Sequence, residues 1–161
     1  MTSAITPFIS GTRVAYFTME LAIRPEIHTY SGGLGVLAGD IARTAADLGM
    51  PMVFVLLISR AGYFRQTINA ERQQVEQPNW WSPEDWCTPL ETTATVEIEG
   101  RTVAVRPWLY VQTGVTGHKV PILLLDTDLE QNDGVDRVIT HHLYGGDQAY
   151  RLKQELVLGV G

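Results

Sequence analysis

The run Tyr30-Ser31-Gly32-Gly33-Leu34-Gly35 constrains this chain most, because it opens directly into one helical pattern. Leu34, Leu37, Ala38, Ile41, Ala42, Ala45 and Leu48 follow the 0, 3, 4, 7, 8, 11, 14 spacing of a single buried face. Asp40, Arg43 and Asp47 fall outside that face. Gly49 followed by Pro51 supplies the stop signal. Small residues at Ala38, Gly39, Ala42, Ala45 and Ala46 let the helix lie close to a neighbouring backbone. An apolar run from Arg13 to Thr18 precedes the glycines, and Met52 to Ile58 follows as a strand buried on both faces. Residues 13 to 68 therefore read as a βαβ unit, and the fold class as α/β.

Glycines at a helix mouth clear side chains from above its free N–H groups, where the helix dipole adds roughly half a positive charge. An anion can dock there, although the same glycines also suit a tight turn that merely enters a helix. Gly33-Leu34-Gly35-Val36-Leu37-Ala38 also matches the GxGxxA form of the dinucleotide fingerprint. Two features oppose that reading. A dozen residues separate Thr18 from Ser31, where the fingerprint should follow its strand at once, and the next strand delivers Ser59 and Arg60 instead of an acid for the ribose.

Beyond residue 68 the texture changes. Residues 77 to 90 hold three prolines and three tryptophans and read as a connector. Residues 93 to 111 read as a hairpin, with Val96 and Ile98 alternating against Val103 and Val105 around Glu99-Gly100-Arg101. Val120 to Leu125 is a short buried strand ending in Asp126-Thr127-Asp128, and Val135 to His142 is a weak helix candidate. Gly145-Gly146-Asp147 breaks the chain before a last helix, Gln148 to Val160, with Asp147 as its cap and Ala149, Leu152 and Leu156 as its apolar positions. That helix reaches the final glycine without a tail, which suggests a piece of a longer protein.

Composition narrows the function. With 161 residues, 45% of them apolar, the chain suits one domain with a real core. A net charge of −6 argues against nucleic acid or an anionic membrane as partner. Lone Cys87 excludes an internal disulfide framework and fits a reducing compartment, so a cytoplasmic location is expected. The longest apolar stretch, Met52 to Ile58, has seven residues where a membrane span needs about 20. No signal peptide is read, because Glu20 interrupts the only candidate.

Four blocks in register carry a resemblance: VAYFTMELAIRPEIHTYSGGLGVLAGDIARTAADLGMP, RAGYFRQ, VPILLLDTDLEQND and LYGGDQAYRLKQELVLGVG. Together, from Arg13 to Gly161, they resemble the N-terminal part of the α-glucan (glycogen, starch or maltodextrin) phosphorylases in their shorter bacterial and archaeal form. The resemblance implies an incomplete Rossmann-like lobe of a two-lobe, GT-B type glycosyltransferase, with an inserted β-hairpin. Residues 1–161 would form part of the N-terminal lobe, with the C-terminal lobe outside this chain. The implied reaction moves a glucosyl unit from an α-1,4-glucan to inorganic phosphate and releases glucose 1-phosphate. Pyridoxal phosphate is the implied cofactor, acting through its phosphate group. By position in the family's glycine turn, Gly32 and Gly33 inherit a role beside the cofactor, and Leu34 and Gly35 one beside the substrate. Partners implied are glucan or maltodextrin, phosphate, and sister subunits in a homo-oligomer.

The catalytic groups themselves are expected outside this chain. Its two lysines, Lys119 and Lys153, lie in no segment like the family's cofactor-lysine motif, so the chain alone is expected to be inactive. Ser59 before RAGYFRQ and the pair His141-His142 depart from the family's pattern. A sugar-nucleotide glycogen or starch synthase is the rival reading, but synthases place a lysine where this chain has Tyr30. A truncated lobe that only binds carbohydrate or a partner subunit is the non-catalytic alternative.

Other candidate chemistry is weaker. Asp126-Thr127-Asp128 has the D-x-D form of metal-dependent glycosyltransferases, yet two carboxylates are few ligands for a hard cation, and no metal site is expected. His28, His118, His141 and His142 form no zinc motif. His28, four residues before Gly32, reads as a loop histidine. Trp80, Trp81 and Trp86 could stack on sugar rings but read better as anchors of the connector. Arg151 and Glu155 are spaced to pair along the last helix.

Overall fold

Two apolar runs make the centre of the sheet. In a computed structural model that describes residues 3–160, β2 is the strand Met52–Leu57, flanked on one side by β1 (Val14–Phe17) and running parallel to it, Val14 opposite Met52. On its other side, in the finished sheet, lies the strand Lys119–Asp126, also parallel, Phe54 opposite Ile122. A short helix α1 (Thr6–Ile9) precedes β1, and α2 (Gly33–Asp47) crosses from β1 to β2. The chain then forms a small two-stranded ribbon, β3 (Arg65–Ile68) with β4 (Gln74–Gln77), and a 3-10 turn at Pro83–Asp85. Next come β5 (Thr88–Pro89), β6 (Ala94–Ile98), β7 (Arg101–Thr113) and the strand already placed, β8. A single helical turn, α3 (Gly134–Arg137), and α4 (Gln148–Val160) close the chain.

Strand order is β1-β2-β8-β7-β5, with β6 paired to β7. Three parallel strands, a helix crossing between the first two, and antiparallel β7 beside β8 fit a partial Rossmann-like lobe. Both faces of this mixed sheet are covered. On one side Met52, Phe54, Leu56, Val120, Ile122 and Leu124 pack with Leu21, Ile23, Ile27 and the alanines of α2. On the other, Val55 and Leu57 meet β6, β7 and α4 through Val96, Ile98, Val103, Val105, Val157 and Leu158. Double coverage explains why the central strands read as continuous apolar runs and not as alternation. At the edge, β1 is bonded on one side only among the described residues, and Val14 and Phe17 are exposed.

The small residues, not the leucines, form the buried face of α2. Gly35, Ala38, Gly39, Ala42, Ala45 and Ala46 are buried, whereas Leu34 (73%), Leu37 (58%) and Leu48 (72%) stand exposed. Close approach is the reason. A side chain at Gly39 would run into the Ala22 carbonyl, and one at Gly114, in the β7–β8 turn, would run into Ala46 and Asp47. Backbone at Ala22 and Ile23 is further held by the Arg43 guanidinium, which donates to both carbonyls at 2.9 and 3.1 Å. Leucines do not fit such a contact. The expected stop is present, with Gly49 at φ +67° turning the chain out of the helix.

The last helix has the expected bounds, and Asp147 caps it by accepting from the Tyr150 N–H at 2.9 Å. Its buried face is Gln154, Val157 and Leu158, whereas Ala149 and Leu152 are exposed and Leu156 is half-buried. Arg151 and Glu155 form no ion pair among the described residues; the Arg151 cation lies 5.8 Å from the Tyr144 ring centre. The hairpin is also as expected in its turn, where Glu99 and Gly100 at φ +51° and +75° make a two-residue connection. It is not a separate insertion, because its second arm is β7, a strand of the main sheet. The β3–β4 ribbon gave no sequence signal, its two apolar residues, Ile68 and Val75, standing exposed among polar ones, and of Val135–His142 only the first turn is helical.

Candidate functional site

The carboxyl ends of β1, β2 and β8 come to one edge, which is where open α/β sheets place their ligands. The loop after β1 returns on itself: Leu21 N–H donates to the Thr29 carbonyl at 3.0 Å, and the Thr29 hydroxyl donates to the Leu21 carbonyl at 2.7 Å. This folding brings Glu20, only 5% exposed, beneath the glycine turn. Its Oε2 accepts from the Ser31 N–H at 2.7 Å and, longer, from the Gly32 N–H at 3.3 Å. Its Oε1 accepts from the Tyr144 hydroxyl at 3.2 Å. Burial, and then the neighbouring Glu20, push the Tyr144 phenol up to about 12, so the donor stays protonated.

Glu20 therefore takes the first amides of the turn but not those of the helix. The N–H groups of Gly33, Leu34 and Gly35 have no hydrogen-bond partner among the described residues, and the first intrahelical bond is Val36 N–H to the Gly32 carbonyl at 3.2 Å. A side chain at Gly32 or Gly33 would meet nothing within 4 Å, so the space above the helix mouth is open. At Gly35 the opposite holds: an added carbon would stand 2.6 Å from Tyr30 Cβ and 2.8 Å from Glu20 Oε2. Gly35 is thus needed for the seat of Glu20 and Tyr30, while Gly32 and Gly33 keep the mouth clear. Chemically, three convergent N–H donors at the positive end of a 15-residue helix can hold an anion.

Around this turn the sheet edge is stiffened by a second network. Asp126, fully buried, accepts from Arg60 Nη2 at 2.6 Å and Nε at 3.2 Å, from Trp108 Nε1 at 3.0 Å, and from the Asp128 N–H at 2.9 Å. Asp128 pairs with Arg137 at 2.7 Å and lies 3.6 Å from His141 Nε2. Burial raises the Asp128 carboxyl, but Arg137, His141 and Arg60 outweigh it and hold it below its usual range. Both acids of the D-x-D motif are thus engaged by cationic side chains, and no cluster of three or more metal-ligating side chains occurs among the described residues.

The remaining sequence candidates separate clearly. Lys119 begins β8 at the opposite end of the sheet, beside His118 and Gly49, and Lys153 pairs with Glu99 at 2.9 Å. His28 is held by the Asn79 carbonyl at 2.7 Å. Trp81 is buried and donates to the Ser59 carbonyl at 3.0 Å, as an anchor should; Trp80 is exposed, edge-on to His141. Cys87 is buried and free, and burial pushes its thiol up to about 12. Sequence reasoning passed over Glu20 and Tyr144, which lie 124 residues apart. The one signal for Glu20 was an acid placed three residues past a strand's carboxyl end.

No protein-family model matches the chain. It is 41% identical over 157 residues to a glycogen phosphorylase of Mycobacterium tuberculosis, which covers 93% of this chain and 18% of the relative. A maltodextrin phosphorylase of Thermococcus litoralis is 40% identical over 155 residues, again 92% of this chain and 18% of that protein. A glycogen phosphorylase of Aquifex aeolicus is 29% identical over 156 residues, covering 92% and 22%. The chain thus spans about a fifth of the length of these relatives. Over nearly all of its own length, the chain is a homologue of an N-terminal segment of the glycogen and maltodextrin phosphorylases.

Proposed function

We propose that residues 1–161 form part of the N-terminal lobe of a GT-B type α-glucan phosphorylase. The enzyme moves a glucosyl unit from an α-1,4-glucan or maltodextrin to inorganic phosphate in the cytoplasm, with sister subunits as partners. The observation that carries this reading is the uncovered helix mouth. The amides of Gly33, Leu34 and Gly35 face open space at the sheet edge, in a segment 41% identical to a phosphorylase.

Pyridoxal phosphate is the cofactor in this reading, and it supplies a phosphate group beside the reacting one. The residues present fit that group in part. Gly32 gives it room, Gly33 gives it an N–H donor, and Leu34 and Gly35 offer donors toward the substrate. No lysine of this chain lies at the turn, since Lys119 is at the far end of the sheet and Lys153 is paired with Glu99. The aldehyde must then be held by residues outside this chain. Glu20 and Tyr144 fix the turn so that the donors are in place before charge shifts, the condition under which such donors stabilise a transition state.

The test is a chimera in which this chain replaces the matching segment of the Mycobacterium tuberculosis glycogen phosphorylase. It should release glucose 1-phosphate from maltodextrin, while the 161-residue chain alone releases none. Turnover of ADP-glucose or UDP-glucose by the chimera, without phosphorolysis, would replace the phosphorylase reading by the synthase one.

A further inference from the structure

Beside the glycine turn lies a cleft of about 270 Å³ lined by Pro25, His28, Tyr30, Ser31, Tyr63, Phe64 and Asn79. Three separate stretches of chain build it. Gly62 makes their meeting possible: its φ is +60°, and an added carbon would stand 3.0 Å from both the Asn79 carbonyl oxygen and His28 Cβ. The Asn79 N–H is fixed in turn by the Ala61 carbonyl at 2.8 Å. Tyr63 and Phe64 stand with ring centres 4.2 Å apart and form one aromatic wall.

We infer that this cleft is a binding site for a single neutral pyranose ring. No side chain of its lining carries a fixed charge, which disfavours phosphate, carboxylate and ammonium ligands alike. What the lining offers is aromatic surface with polar tips: two phenols, an asparagine amide, an imidazole, and a serine hydroxyl that donates to Glu20 at 3.3 Å and keeps its oxygen as an acceptor. A pyranose matches that mixture, because it has apolar C–H faces and a rim of hydroxyls. The imidazole has a defined role. A carbonyl only accepts, so His28 Nδ1 carries the hydrogen given to Asn79, and in the tautomer with its single proton there Nε2 is an acceptor for a hydroxyl. At about 270 Å³ the cleft falls just below the roughly 300 Å³ at which small-molecule sites begin, which limits it to one ring at a time. This inference stands on the cleft's own chemistry and does not require the phosphorylase reading.

Titration of the ¹⁵N-labelled 161-residue chain with methyl α-glucoside tests it by NMR. Shifts should be confined to residues 28–31, 62–64 and 79, with millimolar affinity, and the open-chain polyol glycerol should produce none of them. Tyr63 is 42% exposed, so Tyr63→Ala should leave the spectrum's dispersion intact and weaken binding roughly fivefold or more. Tyr63→Phe, which keeps the ring, should bind within about twofold of the parent. Silence of these residues up to roughly 20 mM sugar, or binding indifferent to Tyr63→Ala, would overturn the inference. Inorganic phosphate is the separate probe for the helix mouth. It should move Gly33, Leu34 and Gly35 and not the cleft, so failure of one site is distinguishable from failure of the other.

Discussion

The Tyr144 hydroxyl donates to Glu20 Oε1 at 3.2 Å, joining the segment before α4 to the loop before α2. The same carboxylate holds the Ser31 and Gly32 amides through its other oxygen, so one buried acid ties the glycine turn to the end of the chain. Removing either partner therefore acts on the turn. Tyr144→Phe should cost about 1.5–3 kcal/mol of stability, the range for hydrogen bonds to a charged group. Glu20→Ala should cost more, because it frees two amides as well. Urea denaturation of both single variants and the double variant should show coupling, with the double change costing less than the sum.

The glycines of the turn should divide by the space around them. Gly35→Ala forces an atom against Tyr30 and Glu20 and should destabilise the fold by about 1–3 kcal/mol, as overpacking does. Gly33→Ala enters open space and should leave the melting temperature nearly unchanged. Its effect should appear instead as weaker phosphate binding, read from the NMR shifts of Leu34 and Gly35.

Asp126→Asn should rank among the most damaging polar substitutions. It leaves the Arg60 guanidinium, with only 17% of its side chain exposed, without its main partner. Breaking a buried pair in this way costs about 3–5 kcal/mol. Urea denaturation midpoints of the variant and the parent give the comparison.

Acid should weaken the fold in stages. Burial is the main influence on His141 and holds its imidazole below the usual value, with Asp128 opposing only in part. The unfolded chain then binds that proton more readily than the folded one. Stability should begin to fall as pH drops below about 6.5, where an unfolded histidine titrates. His141→Gln should flatten the melting-temperature curve between neutral pH and the carboxylate range. At lower pH, Asp136, held down chiefly by Arg101, and Asp128 should contribute a further loss as they protonate, again because their folded values lie below the unfolded ones.

Periodicity located most elements because the physics there is local. Continuous apolar runs at Met52–Leu57 and Val120–Leu125 marked strands covered on both faces, and Asp147 marked the start of α4. Which face of α2 is buried was not local. Leu34, Leu37 and Leu48 satisfied a helical stripe, but the Ala22 carbonyl approaches so near that only glycine and alanine fit beneath the helix. Likewise the glycine turn and the helix it opens were legible, whereas Glu20 under the turn was not. An isolated acid after a strand shows no pattern until the loop closes through Leu21 and Thr29 and brings it to Ser31. The polar β3–β4 ribbon was invisible for a simpler reason: neither face is buried, so no alternation was selected.

The one-sided pairing of β1 has a practical consequence. With Phe17 and Val14 turned to water along a half-zipped margin, each molecule in solution presents a template on which another can lay its own backbone. Purified preparations should therefore turn cloudy as they are concentrated. A lysine placed at Phe17 should keep them clear.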